Sequence, residues 1–213
     1  VLFRSPDTIT PTLYDALKAE VDGGAGDVRA AIYATREGFD LLPSQPELSL
    51  VEVALINTLS RERILAGLLD SVAADYDTIF IDCNPSLGLL VINALTAADS
   101  VLIPIQTEYL AARGALMILS TIETIRRKRL NPRLTIEGIL LTMADTRASL
   151  TRDIQQAVEQ QYGGNIRIFS TVIRRSVRFA ESAAAGRSLI AYDPRSAGAN
   201  AYRAVARELG NRN

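Results

Sequence analysis

The stretch Tyr76–Gly88, YDTIFIDCNPSLG, determines how the rest of the chain is interpreted. Its run Thr78–Ile81 combines β-branched and aromatic residues, which is the composition of a buried strand. The run ends at Asp82, and a turn sequence, Asn84–Ser86, follows. A carboxylate at the carboxyl end of a parallel strand lies where open α/β sheets bind ligands, and it can hold Mg²⁺ through water. The same residues also fit an ordinary turn in which Asp82 caps the next helix.

The composition limits the possible classes of protein. The chain has 213 residues, of which 48% are hydrophobic, enough for one α/β domain with a sizeable core. A single Cys and the absence of His exclude a disulfide framework, a His/Cys metal site and a His-based catalytic triad. No apolar run has the length of a membrane span and no secretory signal is visible, so we expect a cytoplasmic protein without a membrane partner.

The charge is unevenly distributed along the chain. Residues 1–110 carry 6 Lys and Arg against 16 Asp and Glu, whereas residues 111–213 carry 17 against 8. This asymmetry indicates an anionic partner for the second half. The alternative is that the basic residues occupy helix ends, as the cluster Arg126–Arg129 would before Asn131 and Pro132.

Apolar periodicity and turn residues predict alternating strands and helices from residue 39 onward, which is typical of a mostly parallel sheet with helices on both faces. Residues 1–5 have the character of a non-native scar, and residues 6–213 are expected to form a single domain. Residues 174–186 are expected to form a polar loop with a possible helical turn. The predicted strands are 39–42, 78–82, 101–105, 136–142 and 166–173, and the predicted helices are 10–20, 44–60, 61–74, 87–97, 111–130, 150–162 and 194–209.

Four blocks in this order resemble the ParA/Soj partitioning ATPases, which are deviant Walker-A P-loop proteins. The blocks are YDTIFIDCNPSLG, NALTAADSVLIPIQTEYLAARG, GILLTMADTRASLTRDI and STVIRRSVRFAESAAAGRSLIAYDPRSAGANAYRAVARELG. The resemblance implies a P-loop NTPase-like (Rossmann-like) fold and an ATP- and Mg²⁺-dependent switch. It also implies a homodimer that holds ATP between its protomers, binds double-stranded DNA without sequence preference and is stimulated by a ParB-type partner. Such a protein would be cytoplasmic and associated with the nucleoid.

The chain departs from this family at its beginning. The family starts with a strand, a glycine-rich loop of KGGVGKT type and a first switch motif, none of which occurs here. The glycine cluster Gly23–Gly26 has no Lys and follows no predicted strand, so it is not expected to hold phosphate. The chain is therefore expected to begin inside the family fold and to be inactive as an ATPase on its own. We also expect exposed sheet edges and lowered stability.

The resemblance assigns catalytic roles to Asp82, Pro85 and Gly88. Asp82 matches the carboxylate that holds Mg²⁺ through water, whereas Pro85 and Gly88 match the turn that senses the γ-phosphate. Asn84 stands where the family usually has Pro.

The resemblance assigns further residues to the surface that contacts the nucleotide and the second protomer. Gln106 and Glu108 follow the next strand, although a solvated loop explains them equally well. Met143 and Asp145 match a loop near the adenine, as does the segment Arg174, Arg175 and Ser176. Because Arg174 replaces a Pro of the family, its contact with the base is in doubt.

The resemblance also assigns a DNA-backbone contact to Arg147 and Arg178, and Arg152 extends the same surface. The planar guanidinium group can donate two hydrogen bonds to a phosphate. Since no aromatic residues alternate with these arginines, we expect binding that is independent of sequence. The alternative is that they are solvated surface arginines.

Two rival interpretations remain. A MinD-like membrane-positioning ATPase would need a C-terminal amphipathic helix, and the terminal sequence RELGNRN offers little apolar material for one. A nucleotide-independent DNA-binding or protein-interaction module of the same fold is compatible with the missing phosphate loop.

Overall fold

The computed structural model describes residues 9–84, 87–106, 111–144, 156, 159–160 and 166–210. The chain forms two compact units. The first unit contains residues 1–99 and 121–134, and the second contains residues 100–120 and 135–213. The helix α5 (Ala111–Arg127) contributes to both.

The first unit is mainly helical. Its helices are α1 (Leu13–Val21), α2 (Leu48–Leu55), α3 (Ile64–Asp70) and α4 (Leu89–Ala97). A short antiparallel pair, β1 (Tyr33–Ala34) and β2 (Asp40–Leu41), lies between α1 and α2. Because β1 and β2 are antiparallel, the predicted strand at 39–42 does not start the parallel sheet.

The beginning of α1 lies later than the sequence suggested. The predicted N-cap is Thr10, but the helix starts at Leu13 and is capped by Thr12. The Thr12 hydroxyl and backbone amide both donate to the Asp15 carboxylate, at 3.0 and 2.7 Å. The Asp15 carboxylate thus satisfies the free amide at the N-cap, as in a capping box, and it fixes where the first helix begins.

A cluster of buried apolar side chains holds the helices of the first unit together. It is formed by Ala16, Leu17, Val28, Val51, Leu55, Leu65, Leu68, Val72 and Ala94. One buried polar residue, Asn93 on α4, links two of these helices. Its Oδ1 accepts a hydrogen bond from the Leu65 amide (3.1 Å), and its Nδ2 donates to the carbonyls of Arg61 (2.8 Å) and Leu89 (2.9 Å). Asn93 therefore acts as the N-terminal cap of α3 from a neighbouring helix.

The predicted strand at 78–82 is wrong. Residues 78–84 belong to no strand and no helix. Phe80 is 82% exposed and Ile79 is 41% exposed, so the run is not buried either. A strand needs a neighbour to pair its backbone groups, and no described strand of the first unit pairs with this segment.

The second unit is built on a parallel pair of strands, β3 (Ser100–Gln106) and β4 (Thr135–Thr142). The two strands start at Ser100 opposite Thr135 and end at Gln106 opposite Thr142. The register shifts between Val101 and Leu102 because β4 carries one extra residue, Glu137, at that point. Both strands were predicted, and the structure confirms them to within one residue at each end.

Gly138 follows the extra residue and allows a third segment to approach β4. Its φ is +145°, and a Cβ at this position would lie 2.6 Å from the Arg167 carbonyl oxygen. The Ile139 amide donates to that carbonyl (2.8 Å), and the Phe169 amide donates back to the Ile139 carbonyl (2.9 Å). The predicted strand at 166–173 is thus present only as a parallel bridge at Ile168, and a second parallel bridge follows at Arg174.

The last described stretch, residues 166–210, contains three helices, namely α6 (Val177–Ala184), α7 (Leu189–Tyr192) and α8 (Ala197–Gly210). The prediction of a polar loop at 174–186 is wrong, because Ser176 caps a regular helix there by accepting from the Arg178 amide (3.3 Å). α7 was not predicted, and α8 lies within the predicted closing helix. Buried Leu140, Phe169, Ile173 and Val205 form the core of this unit.

Candidate functional site

Asp82 lies in the first unit, on the exposed segment that precedes α4. Its side chain is exposed, as are those of Cys83 and Asn84. Pro85 lies outside the described residues. Among the described residues, no cluster of three or more His, Cys, Asp or Glu could hold a metal ion. A single aqueous carboxylate still suits Mg²⁺, which keeps several waters and shares its remaining ligands with substrate phosphates.

Gly88 forms the N-cap of α4, and Glu52 of α2 packs directly against it. A Cβ built on Gly88 would lie 2.8 Å from the carboxyl carbon of Glu52, which is closer than real contacts allow. The absence of a side chain at residue 88 therefore lets α2 and the start of α4 approach each other. The sequence prediction singled out Gly88 but missed Glu52, for which no local signal exists.

The glycine cluster at residues 23–26 is not arranged as a phosphate loop. The Gly26 amide donates to the Glu20 carboxylate (2.9 Å), so an anion already occupies it. A Cβ on Gly26 would also collide with the Ala16 carbonyl and would lie 2.9 Å from Leu68 Cδ2. Gly26 thus serves the packing of α1 against α3, in agreement with the rejection of this cluster as a phosphate site.

The carboxyl ends of β3 and β4 carry other predicted site residues of the second unit. Gln106 is exposed at the end of β3, next to Thr142 of β4. Met143 follows β4 with a left-handed φ of +53° and is 41% exposed. A non-glycine residue with positive φ is unusual and turns the chain sharply where the strand ends. Glu108 and Asp145 lie outside the described residues.

Backbone hydrogen bonds bring the end of β4 together with the segment before α6. The Ala144 amide donates to the Ile173 carbonyl (3.1 Å), and the Arg175 amide donates to the Ala144 carbonyl (3.0 Å). Met143, Arg174 and Arg175 are therefore neighbours in space, as the sequence predicted from their shared match to the adenine side. Arg174, Arg175 and Ser176 are exposed.

Arg178 occupies the first turn of α6 and is paired with two carboxylates. Its Nη1 lies 2.8 Å from Glu181 Oε2 and its Nε lies 3.5 Å from Asp193 Oδ2. The hydrogen bond that Arg178 donates to Glu181 raises the pKa of Arg178, and the negative charges of Glu181 and Asp193 raise it further. Arg147 and Arg152, the other predicted DNA contacts, lie outside the described residues.

Two more arginines contact the segment 191–194, which comprises the end of α7 and the two residues after it. Arg187 Nη2 donates to the Ala191 carbonyl (2.6 Å), and Arg203 Nη1 donates to the Pro194 carbonyl (2.6 Å). Together with Arg178, they place three guanidinium groups around residues 191–194. No sequence pattern pointed to Arg203, because only the fold brings α8 beside residues 191–194.

The chain is similar to several known proteins. The family model described as an AAA domain matches residues 4–136. The chain is 45% identical to the sporulation initiation inhibitor protein Soj of Bacillus subtilis over 86% of its length and 72% of Soj. It is 40% identical to the chromosome partitioning protein ParA of Myxococcus xanthus over 97% of its length and 70% of ParA.

A solved structure shows the same fold. The cobyrinic acid a,c-diamide synthase of Mycobacterium smegmatis, with bound ATP analog and magnesium, superposes with a TM-score of 0.78 at 32% identity. The match covers 99% of this chain and 77% of the synthase.

The chain is shorter than its relatives, and it spans 56% of the length of two matching proteins from Mycobacterium tuberculosis at 43% identity. No helix in the described part of the chain is long and apolar enough to cross a membrane. The matched family model, the identities over most of the chain and the parallel α/β fold together lead to one conclusion: the chain belongs to the ParA/Soj family of chromosome-partitioning P-loop ATPases.

Proposed function

We propose that this chain is part of an ATP-dependent partitioning switch, in which it supplies the magnesium carboxylate, the base side of the nucleotide site and a DNA-binding surface. The observation that carries the proposal is the arrangement of the second unit. There, the hydrogen bonds of Ala144 with Ile173 and Arg175 join the proposed base-contact residues to the segment that leads into the helix bearing Arg178.

The nucleotide side of the proposal rests on chemistry that each unit can supply. Asp82 would hold Mg²⁺ through water, and Gly88 would let the preceding turn respond to the γ-phosphate. Gln106, Met143 and the Arg174–Ser176 segment would line the nucleotide, as would Glu108 and Asp145. When bound, Mg²⁺–ATP would supply the phosphoanhydride bond, and its hydrolysis would reverse the switch. The synthase of M. smegmatis, which is similar to this chain, holds an ATP analog and magnesium.

This sequence does not contain the glycine-rich loop with a lysine that would bind the phosphates of ATP. The chain has two lysines, Lys18 and Lys128, and neither lies in a glycine-rich loop. Lys18 is paired with Asp22 on α1. Phosphoryl transfer depends on a cradle of backbone amides and a charge-neutralising lysine. We therefore propose that these 213 residues alone do not hydrolyse ATP, and that activity requires a phosphate loop from additional sequence.

The DNA-binding part of the proposal rests on charge and on the relatives. Arg178 would contact the DNA backbone together with Arg147 and Arg152, and their planar groups suit phosphate oxygens. By the same inference, the switch is a homodimer with ATP between protomers, is stimulated by a ParB-type partner and acts on the nucleoid in the cytoplasm.

Reversing the charge of Arg147 and Arg178 together tests this function. We expect the Arg147→Glu, Arg178→Glu variant to bind a fluorescein-labelled DNA duplex of mixed sequence much more weakly. The slope of the logarithm of the binding constant against the logarithm of the salt concentration should decrease in magnitude by about 2, since each phosphate contact contributes about 1. The measurement is fluorescence anisotropy at several salt concentrations. Arg36→Glu, at an exposed position of the β1–β2 turn, is the matched control and should bind normally. Equal binding by all three proteins would contradict the DNA assignment.

The nucleotide assignment is tested by phosphate release. The chain alone is expected to release no phosphate above background in a malachite-green assay. A chimera preceded by the glycine- and lysine-rich segment of a Soj relative should release phosphate, and Asp82→Asn should abolish this. A turnover by the unmodified chain that matches its relatives would overturn the proposal.

A second function, a nucleotide-independent DNA-binding module, is favoured by the missing phosphate loop and the exposure of residues 78–84. It predicts that the chain binds the duplex equally well with and without ATP. The chimera described above distinguishes the two functions, because only the switch gains ATP-dependent DNA binding.

A further inference from the structure

Arg178 is held by two carboxylates that come from different elements. Glu181 lies one turn further along α6, and its Oε2 is 2.8 Å from Arg178 Nη1. Asp193 ends α7, and its Oδ2 is 3.5 Å from Arg178 Nε. The side chains are 52%, 43% and 32% exposed for Arg178, Glu181 and Asp193, so all three are accessible to solvent.

The neighbouring arginines have different partners. Arg187 and Arg203 donate to the neutral backbone carbonyls of Ala191 and Pro194. A carbonyl leaves most of the positive charge of a guanidinium group uncompensated, whereas two carboxylates compensate that of Arg178. Among the described residues, the segment 191–194 is therefore contacted by two arginines without a carboxylate partner and by one, Arg178, whose charge two carboxylates balance.

A phosphate and these carboxylates need the same donor atoms. A guanidinium group binds phosphate through two parallel N–H donors, and both Nη1 and Nε of Arg178 already face carboxylate oxygens. Surface ion pairs contribute little free energy in water, so a polyanion can displace them. Displacement would nevertheless leave Glu181 and Asp193 close to the incoming phosphate, where they repel it.

From this geometry we propose that Glu181 and Asp193 compete with phosphate for Arg178 and thereby weaken the binding of polyanions to this surface. The two carboxylates set the affinity of the surface, so that binding stays weak and reversible. The inference rests on the proposed DNA-binding function, since it concerns the regulation of the same site.

Neutralising either carboxylate should tighten binding. A surface pair contributes up to about 1 kcal/mol, which corresponds to about a fivefold change in affinity. We therefore expect Glu181→Gln and Asp193→Asn each to lower the Kd for the labelled duplex by about two- to fivefold. Glu123→Gln makes the same change in net charge at an exposed position on α5, and it should leave the Kd within about 1.5-fold of the original value.

A double-mutant cycle separates competition from a general effect of charge. The Arg178→Ala background lacks the guanidinium group for which carboxylate and phosphate compete. In this background Glu181→Gln should therefore no longer tighten binding beyond the Glu123→Gln control. A Glu181→Gln effect of the same size with and without Arg178 would overturn the inference, and so would the absence of any tightening in the single variants.

The cycle also distinguishes the failure of this inference from that of the proposed function. If Arg178→Ala binds the duplex as well as the unaltered chain, the DNA assignment of Arg178 fails. If Arg178→Ala weakens binding but neither carboxylate variant strengthens it, only the competition fails.

A second measurement needs neither DNA nor nucleotide. The salt concentration that elutes each variant from a heparin column should rise for Glu181→Gln and Asp193→Asn and fall for Arg178→Ala. Elution of Glu181→Gln and Asp193→Asn at the same salt concentration as the original chain would contradict the inference. Far-ultraviolet circular dichroism before and after heating confirms that each variant is folded, which is expected because the substituted groups lie at the surface.

Discussion

At the scale of single residues, the requirement for glycine at position 88 comes from a distant part of the chain. The φ of Gly88 is −82°, which any residue can adopt, so backbone strain does not demand glycine there. The demand comes instead from Glu52, whose carboxyl carbon would lie 2.8 Å from a Cβ. The carboxyl group of Glu52 can rotate away, however, because it lies at the end of a flexible side chain.

Gly88→Ala is therefore expected to destabilise the chain moderately. Overpacking at a well-packed contact costs about 1–3 kcal/mol, and the flexibility of Glu52 favours the lower end. Urea denaturation should show a loss of about 1 kcal/mol for Gly88→Ala and a smaller loss for the same change in a Glu52→Ala background.

Gly67 provides the matched control for this prediction. It is exposed inside α3, and no atom would lie within 4 Å of an added Cβ. Gly67→Ala should stabilise the chain by about 0.5–1 kcal/mol through helix propensity. If Gly88→Ala stabilised the chain to the same extent, the close contact with Glu52 would be refuted.

At the scale of elements, one carboxylate attaches α8 to the segment that runs beside β4. Glu208 accepts hydrogen bonds from the amides of Ser170 (3.1 Å) and Thr171 (3.0 Å), and from both of their hydroxyl groups. Burial alone raises the pKa of Glu208, but the hydrogen bonds from Thr171 and Ser170 outweigh it and hold the pKa below its usual range.

This attachment predicts how stability depends on pH. A carboxylate whose pKa is lower in the folded state stabilises the fold above its unfolded pKa of about 4.3, and this contribution disappears as the pH falls through the folded pKa. Glu208→Gln should thus cost about 2 kcal/mol at pH 7, because hydrogen bonds to a charged acceptor are lost. The difference between the variant and the original chain should shrink below about pH 4.

Urea denaturation of the two proteins between neutral and acidic pH measures this effect. Glu159→Gln, at an exposed position, serves as the control and should behave like the original chain at every pH. A difference for Glu208→Gln that is independent of pH would show that the carboxylate does not carry the attachment.

At the scale of the whole molecule, residues 78–80 of the apolar run are exposed although the composition of the run is that of a core strand, and only Ile81 packs against the apolar cluster of the first unit. Phe80 is 82% exposed, whereas Phe169 of the second unit is fully buried. An unpaired apolar segment can pair with another chain, so it is a site of aggregation.

Phe80→Asp is expected to reduce aggregation without loss of stability. Light scattering and the fluorescence of bound anilinonaphthalene sulfonate should both decrease, while the free energy of unfolding should change by less than about 0.5 kcal/mol, as for other surface substitutions. Phe169→Ala is the contrasting variant and should cost about 3–5 kcal/mol. A comparable destabilisation by both variants would show that Phe80 belongs to a core.

The sequence predicted those elements whose signals are local. Helices α4 and α5 and strands β3 and β4 were predicted to within a few residues, because each has a continuous apolar pattern bounded by turn residues. Family membership was equally accessible, since it follows from ordered motifs. The helix at 177–184 was anticipated only as a single turn because the segment from residue 174 onward is rich in arginine and serine. In the structure the cap by Ser176 marks its start.

By itself, the sequence determined the α/β class, the family and the residues that could serve a nucleotide or DNA. Tertiary structure alone decided which of these residues have neighbours and which stay exposed. Thr78–Ile81 has the composition of a strand, but a strand forms only where another backbone completes its hydrogen bonds. The sequence singled out Arg178 as a DNA contact but not its partners, since the fold alone brings Asp193 to it from the end of another helix. Such contacts join residues far apart along the chain, so no local pattern can specify them.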